Sequence, residues 1–238
     1  MLLSERASAW TEKNDLLTEG RLSSLGLKHG MSTRRLGNMK DPAKRRAAAS
    51  LLGLAEPLVL HQVHGTKIHL ASRGKGGLEG DGWIVDVPNV CVAVYAADCV
   101  PLYLWSDDGR LAGVFHAGWR GTSSGMAQSA VAAFARLGMP SLRLFAAAGP
   151  HIGACCYRVG PELEKNFPSS SFVRRGDELF LDLAAEMRRQ LLEAGMMADR
   201  IAVAAPCTAS CPDDYFSFRR DKQDARMLAL LSIDRWPS

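Results

Sequence analysis

Three side chains in this sequence have the right chemistry to hold a metal ion: His64, Cys99 and His116. His64 closes the stretch HQVH before Gly65. Cys99 breaks the apolar runs VCVAVYA and VPLYLW, and His116 ends LAGVFH before Ala117 and Gly118. Two imidazoles and a thiolate suit Zn²⁺, with bonds of roughly 2.0–2.3 Å and a fourth position open to water. Structural zinc sites use four ligands at short spacing, so three ligands scattered along a chain fit a catalytic site better. Plainer readings stay open at this point. A histidine at a strand end is commonly a hydrogen-bonded structural residue, and a single cysteine a small buried hydrophobe. A thiol hydrolase, with Cys99 as nucleophile and His116 as base, uses the same residues. His61 lies three positions before His64. On an extended strand those two positions face opposite sides, so His61 is expected to be structural rather than a ligand.

The elements that must aim these groups are mostly strands. WIVDV, VCVAVYA, VPLYLW and LAGVFH are apolar and partly β-branched, as strands are. PLVLHQVH, TKIHL, LRLFAAAG and IAVAA read the same way. All three candidate ligands then fall at strand ends, where a rigid sheet can point side chains into one cleft. DPAKRRAAASLLGL is an expected helix, with Asp41 as N-cap, Pro42 in the first turn and Gly53 near the end. Further helices are expected over 123–137, with a serine cap, and over LDLAAEMRRQLLEAG, stopped by Gly195. GKGGLEGDG lacks the Lys-Ser/Thr ending of a phosphate-binding loop and reads as a plain connection, while GPHIGACCYRVG reads as a loop. FSFRRDKQDARMLALLSI fits strand or helix equally. Strands outnumber helices and several are joined by short, hairpin-like links. The fold class is therefore α+β on a mixed sheet rather than a doubly wound α/β fold.

Composition narrows the function classes. A length of 238 residues allows one large domain or two small ones, and 47% apolar with 23% charged residues specifies a packed core. The net charge of +4 is mild and no basic tract occurs, which argues against a nucleic-acid partner. No apolar stretch is long enough to span a membrane, and MLLSERASAW lacks the apolar region of an export signal. A cytoplasmic location with reduced thiols is expected. No C-x-x-C pair is present. Cys207 and Cys211, four apart, are weak evidence for a metal, and Cys155 and Cys156 read as packing or loop residues. His29 and His69 read as structural or solvated.

HQVHG, AADCVPLYL, FHAGWRG, GPHIGACCYRVG, the dipeptide CT and YFSFRRD occur in that order. Together with HGMSTR near residue 30, this series resembles the YfiH family, also called laccase-domain or polyphenol-oxidase-like proteins and purine nucleoside phosphorylases. The resemblance runs from about Gly30 to the C-terminus. It implies one catalytic domain over 1–238, built as a mixed α/β/β/α sandwich related in shape to a bacterial toxin deamidase. It also implies a zinc site held by His64, Cys99 and His116. Two departures stand out. Only RLGNMKD separates HGMSTR from the helix at residue 42, where family members carry a longer loop, and Arg158 stands where a glutamate is common.

The activity implied is phosphorolysis of adenosine, inosine, guanosine or methylthioadenosine, with adenosine deamination as a second activity. For deamination, zinc lowers the pKa of bound water toward ~7, giving hydroxide for attack on the purine C6. Asp98, beside a ligand, is expected to serve in acid-base transfer or to orient a ligand ring. Phosphate needs cations, and Arg34, Arg120 and Arg219 are the expected binders, with Arg220 a further candidate. Arg120, four residues after His116, is the foremost. Small-molecule nucleoside and phosphate are the expected partners, and a monomer or weak homodimer the expected assembly. Some bacterial relatives are implicated in editing peptidoglycan precursors, which keeps an amide hydrolase as the alternative. A copper oxidase of phenols, suggested by the older family name, fits poorly, since six histidines with no H-x-H pair cannot build a multicopper centre.

Overall fold

The computed structural model describes residues 10–203 and 205–234. The first nine residues of the N-terminal stretch, and Ala204 within the expected strand IAVAA, lie outside the described residues. Two six-stranded mixed sheets dominate. The first runs in the order Trp10–Lys13, Leu16–Glu19, Lys28–Ser32, Met227–Ser232, Val92–Ala96 and Leu58–Val59. The second runs Ile201–Ala202, Leu144–Ala148, Val100–Ser106, Ala112–Ala117, Gly82–Val85 and Ile68–Leu70. A small third sheet joins Arg158–Val159, Glu178–Leu181 and Phe172–Arg175.

Period-two alternation explains how these layers stack. Val92, Val94, Ala229 and Leu231 of the first sheet meet Tyr103, Trp105, Ala112 and Val114 of the second in one apolar layer. Their neighbours Ala93, Leu228 and Leu230 face outward onto Ala48 and Ala49 of the helix Pro42–Leu51. On the other side, Leu102, Leu104 and Phe115 face Met126, Ala130 and Phe134 of the helix Met126–Arg136, and Met187 and Leu191 of the helix Leu183–Glu193. The result is a helix–sheet–sheet–helix sandwich, as expected from the sequence. Strands apolar on both faces are what two covered sheets require. Among the described residues, no helix is long and apolar enough to cross a membrane.

Several local expectations need correction. Val92–Ala96 does not pair with either strand next to it in sequence. It pairs with Met227–Ser232 and Leu58–Val59, while Val100–Ser106 and Ala112–Ala117 form a hairpin in the other sheet. The chain therefore crosses from one sheet to the other at residues 97–99. Asp98 makes that crossing with φ of 86°, a conformation that L residues seldom adopt. PLVLHQVH is a strand only over Leu58–Val59, with one further bridge between His61 and Glu79. The helix expected over 123–137 begins at Met126, capped by Gly125 at φ of 81°, after a separate short helix Trp119–Ser123. The ambiguous C-terminal segment is both things in turn, a helix Phe218–Asp221 and the strand Met227–Ser232. The Asp41 cap holds, since its carboxylate accepts the Ala43 amide at 2.8 Å with Pro42 following.

Phe115 locks the second sheet. Its ring lies over Gly82, its register partner, and over Gly113, where an added Cβ would come within 2.5 Å of the ring in both cases. The crowding at Gly113 also involves the Trp83 carbonyl at 2.9 Å, which cannot swing away. Gly113→Ala is expected to destabilise the fold by about 1–3 kcal/mol through overpacking. Urea unfolding checks this, and an unchanged midpoint would show that Phe115 moves freely.

Candidate metal centre

The ligand atoms of His64, Cys99 and His116 all lie within 4.8 Å of one another. Each arrives on a different kind of element. His116 sits in the strand Ala112–Ala117, Cys99 in the crossing between sheets, and His64 in a turn at φ of 62°. The two imidazole rings stand edge to face, with centroids 4.8 Å apart. Close approach is enforced at Gly118, where a Cβ would sit 2.7 Å from the Cys99 Sγ and 3.0 Å from His64.

Asp81, fully buried, organises the group. Its carboxylate accepts hydrogen bonds from the amides of Val63 (3.2 Å), His64 (3.0 Å) and Gly65 (2.8 Å). It also takes one from His116 Nδ1 at 2.8 Å, leaving Nε2 of that ring free to face the other two candidate donors. The strand expected through His64 ends early because these amides turn to Asp81 and not to a neighbouring strand. Gln62 ties the same segment to the first sheet, donating to the Tyr95 carbonyl at 3.0 Å and accepting its amide at 2.7 Å. The motif HQVHG thus divides its labour. Gln62 anchors, the amides of Val63, His64 and Gly65 fold the turn onto Asp81, and the His64 ring joins the group. His61 is no part of that group, yet it lines the same cavity, because the chain is not extended from 61 to 64.

The charges of the group are strongly displaced. Burial pushes the Cys99 thiol up, but the charge and hydrogen bonding of His116, then of His64, pull it down to about 6. Burial alone would lower His116, yet the Cys99 charge and the Asp81 hydrogen bond raise it to about 9. Burial raises the Asp81 carboxyl, and His116 with the turn amides brings it below the usual range. Without a metal the site is thus a thiolate beside an imidazolium at neutral pH.

A cavity of about 690 Å³ opens over the group, within the usual range for small-molecule sites. Leu60, Ile152, Trp119, Tyr157 and Phe218 give it apolar walls. Lys40, Arg120, Arg219, Lys222 and Arg226 also line it, against the single carboxylate of Asp98. Lys40 and Arg226 pair with Asp224. Arg219 donates to the Arg158 carbonyl at 2.6 Å and stacks on Tyr157. Arg120, exposed and stacked on Trp119 at 4.4 Å, and Lys222 have no acidic partner among the described residues.

The other sequence candidates lie as follows. Asp98 lines the cavity, but its two oxygens accept the Thr208 hydroxyl at 2.7 Å and the Arg219 amide at 2.6 Å, so its bonds hold the C-terminal segment and orient no ligand ring. Arg34 is not among the lining residues; its guanidinium donates to the Pro212 carbonyl and covers the Phe216 ring. Arg220 is spent on Asp221 and on the carbonyls of Thr208, Ala209 and Tyr215. Arg158 pairs with Glu178 at 2.8 Å, beside a neighbouring cavity. His29 is buried and structural, accepting the Glu19 amide at 2.7 Å. Sequence reasoning missed Asp81, Gln62, Tyr157 and Lys222. The one local signal for Asp81 is an acid between two glycines just before a wholly apolar strand.

A family model described as multi-copper polyphenol oxidoreductase laccase matches residues 32–234. A Deinococcus radiodurans protein named purine nucleoside phosphorylase is 33% identical over 198 residues, covering 81% of this chain and 76% of that protein. Purine nucleoside phosphorylase YlmD of Geobacillus stearothermophilus is 35% identical over 190 residues, covering 71% and 69%. The crystal structure of that organism's YlmD superimposes with a TM-score of 0.88 at 29% identity, covering 96% of this chain and all of the other. The Bacillus licheniformis YfiH structure gives 0.84 at 26% identity, covering 93% and 97%.

Two outcomes follow from the geometry. A divalent ion entering between about pH 6 and pH 9 meets a Cys99 that is already a thiolate and a His116 that must lose its proton. Uptake at pH 7.5 is therefore expected to release about one proton per ion, and affinity to rise with pH through that window. Calorimetry in buffers of different ionisation enthalpy reads this directly, and buffer-independent heats would contradict it. Asp81→Asn, which places an amide donor among donors, is expected to weaken metal binding roughly 10–100-fold. Competition with a chromogenic chelator measures the loss.

Proposed function

This chain belongs to the laccase-domain family that includes the YfiH proteins, and from that premise we propose that it is a zinc-dependent purine nucleoside phosphorylase. The observation that carries the reading is a two-imidazole, one-thiolate group and two cations, Arg120 and Lys222, without an acidic partner among the described residues, all facing one cavity of nucleoside size. The donor set of His64, Cys99 and His116 fits zinc with one position left open. Borderline nitrogen and sulfur donors favour zinc, and a multicopper centre would need far more histidine than the group contains. Bound there, zinc supplies Lewis acidity within the pocket.

The chain's own residues supply the rest. Arg120 and Lys222 hold phosphate by charge-assisted hydrogen bonds. Trp119, Tyr157 and Phe218 offer aromatic surface to the purine. Burial pushes the Tyr157 phenol up to about 12, so it keeps its proton at neutral pH and serves as a donor. Phosphate attacks the ribose C1′ and the bond from C1′ to the purine nitrogen breaks. The base leaves with the electron pair and takes up a proton, and ribose 1-phosphate remains. Adenosine, inosine, guanosine and methylthioadenosine all present this bond. Adenosine deamination, the second activity implied by the resemblance, would instead yield inosine without phosphate.

A second reading has its own observation. Cys99, His116 and Asp81 form a thiolate–imidazolium–carboxylate series of the kind a thiol hydrolase uses. Amide hydrolysis would then survive chelation and be lost to alkylation of Cys99, whereas phosphorolysis would be lost to chelation and restored by zinc.

The decisive assay separates products after incubation with each nucleoside, with and without phosphate. Free base and ribose 1-phosphate are expected only when phosphate is present. Arg120→Ala is expected to raise the KM for phosphate tenfold or more, since a charge-assisted contact contributes roughly 1.5–3 kcal/mol. Base release that ignores phosphate would overturn the reading, and an unchanged phosphate KM would move the anion site away from Arg120.

A further inference from the structure

A second group of ligating atoms lies outside the centre already described. The sulfurs of Cys155, Cys156 and Cys207 lie within 4.8 Å of one another. The first two are adjacent in a tight turn, in which the amides of Cys156 and Tyr157 both donate to the Gly153 carbonyl at 3.0 Å. Cys207 comes from the opposite strand of chain, held alongside by a bridge between His151 and Cys207 and by the Thr208 amide donating to the His151 carbonyl. The space between is kept clear at Gly153, where a Cβ would stand 3.3 Å from the Cys155 Sγ and 3.8 Å from the Cys207 Sγ. The Gly153 amide donates to the Cys207 Sγ at 3.2 Å, a contact that favours the thiolate. Cys155 is exposed and the other two are half-buried, so an ion can reach them from solvent.

We propose that Cys155, Cys156 and Cys207 form a three-thiolate site for a soft cation of low coordination number, of which Cu(I) is the best fit. Thiolates select Cu(I), zinc and iron–sulfur clusters. Zinc takes four ligands when its role is structural, and the group contains no fourth donor among the described residues. A planar three-coordinate ion with metal–sulfur bonds of about 2.3 Å spaces its sulfurs about 4 Å apart, inside the limit that these atoms observe. Binding would lace the turn at 153–157 to the segment at 207. Ile152 and Tyr157, which flank that turn, are walls of the nucleoside-sized cavity, and Thr208, beside Cys207, holds Asp98. An ion here stiffens one side of the cavity without entering it.

The test is an anaerobic titration of the full chain with Cu(I) against a chromogenic Cu(I) chelator, in wild type, Cys155→Ser, Cys207→Ser and Cys99→Ala. The expected result is one tightly held Cu(I) in wild type and in Cys99→Ala, with affinity reduced at least 100-fold in Cys155→Ser and Cys207→Ser. Cu(I) should also shield Cys155 from alkylation in the unmutated protein, read by peptide mass mapping, which keeps the test valid should a serine variant fail to fold. Cu(I) lost in Cys99→Ala but retained in Cys207→Ser would overturn the proposal. So would zinc outcompeting Cu(I) at the three sulfurs, or alkylation of Cys155 that Cu(I) does not slow.

Discussion

The carboxylate of Asp81 is the constraint on which the rest of the candidate centre depends. One buried anion accepts three amides of a single turn and the Nδ1 proton of His116. A buried carboxylate without such partners would be costly, so the turn and the imidazole stabilise Asp81 as much as it positions them. The arrangement sets the tautomer of one candidate ligand, His116, and the backbone conformation that delivers another, His64. Gln62 then fixes the turn to the first sheet, while His116 belongs to the second, so the anion and its neighbours bridge the two layers of the sandwich.

The layers and the candidate ligands were largely legible in the sequence. Doubly apolar strands such as VCVAVYA and VPLYLW announce covered sheets, and Asp41-Pro42 marks a helix start that the structure keeps. Sheet membership was not legible. Val92–Ala96 is apolar on both faces, and nothing in its side chains says which neighbour it will hydrogen-bond. The turn at His64 was hidden for a related reason. Its cause is Asp81, whose link to it spans 16 to 18 residues and therefore leaves no local pattern. The three cysteines at 155, 156 and 207 read as unconnected because a bridge between His151 and Cys207 brings them together across more than fifty residues.

The cationic lining follows the same division. Arg120 is close in sequence to a ligand, and the short helix that starts at Trp119 carries it to the cavity. Lys222 reaches the cavity because the helix Phe218–Asp221 stops there in a left-handed residue, at φ of 54°. Arg34 and Arg220 look equally suited as residue types, but the carbonyls around them absorb their donors. Availability for a ligand is thus decided by what the neighbouring backbone has left unsatisfied, not by charge.

The crossing at residues 97–99 has a bearing on how the chain folds. Cys99 lies in the connection between the sheets, His64 hangs from the first through Gln62, and His116 is embedded in the second. The hairpin of Val100–Ser106 and Ala112–Ala117 sets Cys99 and His116 at one open end, so two of the three donors come together locally and His64 is the one brought from elsewhere. The pair Cys99–His116 has a local precursor in that hairpin, but the full group is complete only when the His64 turn, tied to the first sheet through Gln62, is docked against it. Contacts of such sequence separation are made late and slowly. Ion affinity is then a property of the fully assembled sandwich. A metal that recognises only this state draws its binding free energy from the same equilibrium as global unfolding, and withdraws protection from partly folded forms.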